Sequence, residues 1–102
     1  MIIFITADGH AELREADEFK SFKIVADGAL SPTAFGQALT GLATPEADGK
    51  TAWVKRDAVR RLCGPEASPA WLASFDKMIA SVRRFGWVND GDGTVRAHIE
   101  RG

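Results

Sequence analysis

The sequence predicts an α+β fold, a single compact domain of three helices plus a small antiparallel sheet. Trp71, Leu72, Phe75, Met78, Ile79, Val82 and Phe85 recur at three- and four-residue steps, which places seven apolar side chains on one side of a long helix. Ile2–Thr6 is an apolar, β-branched run, and Phe22, Ile24 and Ala26 alternate with Ser21, Lys23 and Val25, the two patterns of strands. The chain has 102 residues, 45% hydrophobic and 26% charged, enough for one core and too few for two.

Taken in order, Ile2–Thr6 is the first strand and Ala7-Asp8-Gly9 its turn. Ala11–Phe19 is acidic and fits either a weak helix, through Leu13, Ala16 and Phe19, or an exposed hairpin arm. The Phe22–Ala26 strand ends at Asp27-Gly28 and is expected to pair with the first. Ser31-Pro32 opens a helix with Phe35, Ala38, Leu39 and Leu42 as its apolar stripe, and Thr44-Pro45 closes it. A polar loop, 46–50, leads to a short strand at Thr51–Val54. A brief helix capped by Asp57 then runs to Cys63 and stops at Gly64-Pro65. Ser68-Pro69 starts the long helix, Gly86 ends it, and Trp87-Val88 and Thr94–Ile99 form a hairpin around the Asn89–Gly93 turn.

From residue 31 to 101 the order is helix, short strand, short helix, long helix, strand, loop, strand. That order resembles the winged-helix arrangement, with the N-terminal strand pair as an addition, and it rests on element order alone. The resemblance implies that the long helix enters a DNA groove and the last hairpin forms a wing. Ser74, Lys77, Ser81 and Arg84 would then face the groove, Arg96 would sit on the wing, and Lys55, Arg56, Arg60 and Arg61 would lie near phosphates. The side chains argue the other way. The helix's first half offers Ala70, Ala73 and Ser74, too short to read bases, so a helix covering a sheet is the simpler account.

Net charge is −1, but the halves differ: residues 1–50 carry four Lys/Arg against eight Asp/Glu, and residues 51–102 nine against six. A pI near 6.1 argues against strong general affinity for phosphate backbones. The single cysteine, Cys63, leaves no intrachain disulfide and suits a reducing, cytoplasmic setting. No apolar run reaches the roughly 20 residues of a membrane span.

Several residue sets invite chemistry. Arg56 and Arg60 are spaced to clamp a phosphate or carboxylate, although such pairs are usually solvated. Trp53, Trp71 and Trp87 each border a different element and either line a shared pocket for a planar ligand or plug the core. Asn89-Asp90-Gly91-Asp92-Gly93 suggests a calcium loop but has Thr94 and Arg101 where an EF-hand needs ligands, so it reads as a turn. Cys63 pairs with His10 or His98 only if the fold brings them together. The acidic run 12–18 lacks the apolar wall that raises a carboxyl pKa, and no glycine loop matches a nucleotide-binding pattern. No metal, cofactor or catalytic group is expected. The reading that follows is a non-catalytic interaction or regulatory module that binds a protein partner or a second copy of itself. The alternative is a winged-helix-like DNA-binding protein, and the third reading is a small enzyme or ligand-binding protein.

Overall fold

The structure, a computed structural model, describes residues 1–101. Strand β1 (Ile2–Ile5) turns through residues 6–10 into β2 (Ala11–Arg14), which pairs with it antiparallel. Of Ala11–Phe19, Ala11–Arg14 forms a hairpin arm, and residues 15–19 are turn and irregular chain with no helix. At Glu15 the backbone takes a left-handed φ of +50°, and the segment from Glu15 to Phe22 carries the chain past the start of β1 to its other edge. The backbone nitrogen of Met1, whose side chain is buried, donates to the Glu18 and Ser21 carbonyls at 2.6 and 2.9 Å. Strand β3 (Lys23–Ala26) consequently runs parallel to β1, with Ile3 opposite Ile24.

The chain continues through α1 (Pro32–Ala38), β4 (Ala43–Pro45), β5 (Thr51–Lys55), α2 (Arg56–Cys63), α3 (Pro69–Val82), β6 (Val88–Asn89) and β7 (Thr94–Arg101). All seven strands join one mixed sheet in the order β2-β1-β3-β7-β5-β4, with β6 attached to β7. β7 is parallel to β3, pairing His98 with Lys23, and antiparallel to β5, pairing His98 with Thr51. The expected small antiparallel sheet is thus corrected to a seven-stranded mixed one, and the winged-helix-like order of residues 31–101 does not describe the fold. A wing projects its hairpin from the body, whereas β7 lies inside the sheet, paired on both edges, with Val95, Ala97 and Ile99 in the core.

Alternation along the strands sorts the sheet into two faces. Ile3, Ile5, Ile24, Ala26, Ala52, Val54, Val95, Ala97 and Ile99 are buried under the helices, where they meet Phe35, Leu39, Val59, Trp71, Phe75 and Ile79 in one core cluster. Phe4, Val25, Trp53, Arg96 and His98 occupy the alternate positions and are half-buried or exposed. Helix starts follow the local chemistry. Ser31 and Ser68 accept hydrogen bonds from the Ala34 and Trp71 N–H groups, each with Pro at the next position. α2 begins one residue before Asp57 and has no side-chain cap. Its Arg56 N–H donates instead to the Gly93 carbonyl at 2.9 Å.

Phe85 departs from the apolar stripe it extends in sequence. α3 ends at Val82, and Arg83–Phe85 is a single 3-10 turn, whose tighter winding rotates Phe85 off the buried side. Gly86 then takes the left-handed φ of +75° that sends the chain into β6. No helix among the described residues is long and apolar enough to cross a membrane.

Candidate functional site

The edge of β7 that faces away from β5 is shared by two partners. β6 pairs with Thr94 and Val95, and the Arg96 N–H still reaches the Trp87 carbonyl at 2.8 Å. β3 takes over at His98. Between these two partners the sheet is open around Ala97, and a hollow of about 150 Å³ forms there, floored by Met78, Val82 and Val95 and walled by Phe19, Phe22 and Trp87. It continues on the outer side of the sheet into a hollow of about 300 Å³ reaching Thr51 and His98. Beside α3 it adjoins a third, of about 290 Å³, lined by Ser74, Lys77 and Ser81 with Phe19 and Met78.

The rim is aromatic. Phe85 and Trp87 are the exposed large hydrophobic side chains among the described residues, at 54% and 40%, and their rings lie 5.0 Å apart. The Arg84 guanidinium sits 4.9 Å from the Phe85 ring centre, a cation–π contact that keeps a positive charge beside the pair. On the other wall, the segment carrying Phe19 and Lys20 is pinned by the Trp71 indole N–H, which donates to the Ala16 carbonyl at 2.9 Å.

The lining is also one-sided in charge. Lys20, Lys77, Arg96 and His98 border the hollows, and among the described residues no Asp or Glu does. Arg96 is compensated, since its Nε donates to Glu46 at 2.7 Å. The Glu18 carboxylate, next to Phe19, accepts from the Lys20 backbone N–H at 2.6 Å. Lys20, Lys77 and Arg84 make no ion pair among the described residues.

The seven cations singled out in the sequence do not form one patch. Arg56 joins Asp90 at 3.1 Å, and Arg83 reaches the same carboxylate at 2.7 Å, so the β6–β7 loop is tied to the start of α2 and the end of α3. Those partners hold the Asp90 carboxyl below its ordinary range, the Arg83 hydrogen bonds first, and Asp90 in turn raises the Arg83 guanidinium. Arg60 binds Asp57 at 2.6 Å and Asp76 at 3.4 Å, so the two arginines serve different carboxylates. Lys55 and Arg61 are exposed, Lys77 and Arg96 border the cleft, and Arg84 flanks its rim.

The three tryptophans likewise take separate places. Trp71 is buried and stacks on Phe75 at 5.1 Å. Trp53 lies on the outer face of β5, opposite Arg96, in a separate hollow of about 430 Å³ with Thr44, Lys55, Asn89 and Asp92. Trp87 alone borders the cleft. Cys63 is buried, its thiol pKa raised first by burial, while His98 points from the opposite side of the sheet, between the inward-facing Ala97 and Ile99. The 89–93 loop is a turn in which the Asn89 side chain accepts from the Asp92 N–H at 3.1 Å.

Reading the residues missed Phe19, Lys20, Phe22 and Phe85 as parts of a site, because the cleft needs the parallel placement of β3 to exist. The available signal was Arg83-Arg84-Phe85-Gly86-Trp87, two aromatics bracketing a helix-ending glycine directly after two cations. Comparison of the chain with protein-family models, with curated proteins and with solved structures finds no match.

Proposed function

We propose that this chain is a non-catalytic interaction module that holds a segment of a protein partner in the cleft between β6 and β3. The observation that carries this reading is Trp87, a partly exposed ring that lines an apolar hollow, with the exposed Phe85 ring 5.0 Å away, in a domain that buries its other large apolar side chains more fully. Aromatic and arginine side chains beside a dry pocket are the residues that dominate binding energy at protein interfaces. The central hollow, about 150 Å³, suits a single inserted side chain, and the two open hollows that adjoin it leave room for the flanking chain.

The sheet edges favour this cleft over strand addition. β4 has three residues and ends in Pro45, which has no N–H to donate, and β2 has four residues with Glu12 and Arg14 pointing outward. Short, charged or proline-blocked edges resist pairing with another chain. Cys63 and His98, the groups best suited to nucleophile and base, stand on opposite sides of the sheet, which supports a binding role over a catalytic one.

The test is selection of a random dodecapeptide library on the immobilised protein, with counter-selection on Trp87→Ala. Clones that bind the native protein and not the variant are expected. Recovery only of clones indifferent to Trp87→Ala would sink the reading.

A further inference from the structure

Resting on that reading, we infer that the segment held in the cleft is acidic and amphipathic: one large apolar side chain flanked by carboxylates, supplied by a different protein and not by a second copy of this chain. The apolar requirement comes from the floor and walls, Met78, Val82, Phe22 and Trp87. The acidic requirement comes from the rim. Lys20 and Lys77 border the hollows and Arg84 stands on Phe85, all three without an ion pair among the described residues, while no carboxylate lines any of the three hollows.

Carboxylates beside these cations in sequence are engaged elsewhere: Asp76, next to Lys77, binds Arg60 at 3.4 Å. Glu46 holds Arg96, Glu100 holds Lys23 at 3.1 Å, and Glu18 accepts from the Lys20 backbone. An incoming carboxylate therefore meets free ammonium and guanidinium groups without displacing an existing partner, and complementary charge sets specificity and association rate at such a surface. A second copy is disfavoured by the same pattern, because a two-fold contact through this patch presents each cationic rim to its twin. A nucleic acid would also meet positive charge here. Tracking a phosphate backbone, however, needs a continuous row of cations, and Arg56 and Arg60 are spent on Asp90, Asp57 and Asp76.

The deciding experiment sorts the Trp87-dependent dodecapeptides by composition. It then measures the best of them by fluorescence anisotropy against the native protein, Trp87→Ala and the double variant Lys20→Glu/Lys77→Glu. The expected clones pair a Leu, Phe or Trp with Asp or Glu, lose about tenfold or more in affinity on Trp87→Ala, and lose about tenfold on the double charge reversal. Thermal melts of the variants separate lost binding from lost folding. Trp87-dependent clones that are neutral or basic would overturn the acidic inference and leave the module reading standing, whereas an absence of Trp87-dependent clones would remove both. Displacement of the peptide by oligothymidylate at comparable concentration would overturn the inference in favour of a nucleic acid. A dimer in sedimentation equilibrium that Trp87→Ala dissociates would overturn it in favour of a second copy.

Discussion

The Phe85 and Trp87 rings lie 5.0 Å apart and tilted by 37°, on opposite sides of Gly86, and both remain in solvent. Because both rings keep a large share of their surface in solvent, truncating either is expected to cost less than removing a fully buried ring, about 1 kcal/mol for Phe85→Ala and about 1–2 kcal/mol for Trp87→Ala. Phe75, fully buried and stacked on Trp71, is the control: Phe75→Ala should cost about 3–5 kcal/mol. Urea denaturation of the three variants checks this. A rim variant as destabilised as the core variant would show that the pair is structural and not presented for binding.

The carboxylate of Asp90 ties the β6–β7 loop to two helices through Arg56 and Arg83, and its pKa is lowered first by the Arg83 hydrogen bonds. A carboxyl depressed in the folded state stabilises above its unfolded pKa, near 4, and that contribution is lost as pH falls through the lower folded value. Asp90→Asn is therefore expected to lower the urea midpoint at pH 7, and the difference from the native protein should shrink as pH falls below the unfolded value. Equal midpoints at pH 7 would show that the contact is fully screened at this exposed site.

The Trp71 indole N–H holds the Ala16 carbonyl, and through it the segment whose Phe19 and Lys20 form a wall of the cleft. Trp71→Phe keeps a ring against Phe75 but removes the donor and part of a buried ring system, an expected loss of about 2–3 kcal/mol. The more informative readout is local. Amide hydrogen exchange at Glu18, whose N–H reaches the Glu15 carbonyl, should accelerate in Trp71→Phe while exchange in β7 stays slow. Uniform acceleration across both would mean that Trp71 acts on global stability alone.

Legibility in the sequence followed the range of the forces involved. The starts of α1 and α3 are written within four residues, in Ser31-Pro32 and Ser68-Pro69, and both caps form as their chemistry dictates. The buried face of α3 was equally legible up to Val82, and it failed at Phe85 because a 3-10 turn changes the angular step without changing the composition. The sheet was not legible. Whether Lys23–Ala26 runs parallel or antiparallel to Ile2–Ile5 depends on which way the Glu15–Phe22 segment passes Met1, and that segment packs on Trp71, some fifty residues away. β4 was hidden because Pro45 reads as a helix terminator, and on an edge strand it is equally admissible. Trp87 was named as a pocket residue, but its actual neighbours, Phe19 and Phe22, come from a segment whose conformation sequence left open.

The Cys63 thiol responds to pH with a sign opposite to that of Asp90. The thiol is buried at the end of α2, and burial, reinforced by the negative charges of Glu66 and Asp17, raises its pKa. An acid whose folded pKa is raised stays protonated in the fold after the unfolded chain has ionised, so its penalty on stability appears only as pH climbs past the unfolded value near 8.5. The native protein should lose stability as pH rises past about 8.5, and Cys63→Ala should flatten that decline. Modification by a disulfide reagent at pH 8 should be slow in the native state and fast in urea, since the thiolate is the reactive species and both charge and access are withheld by the fold. Rapid modification of the native protein at that pH would show that the end of α2 opens locally and that Cys63 is not the inert core residue its burial implies.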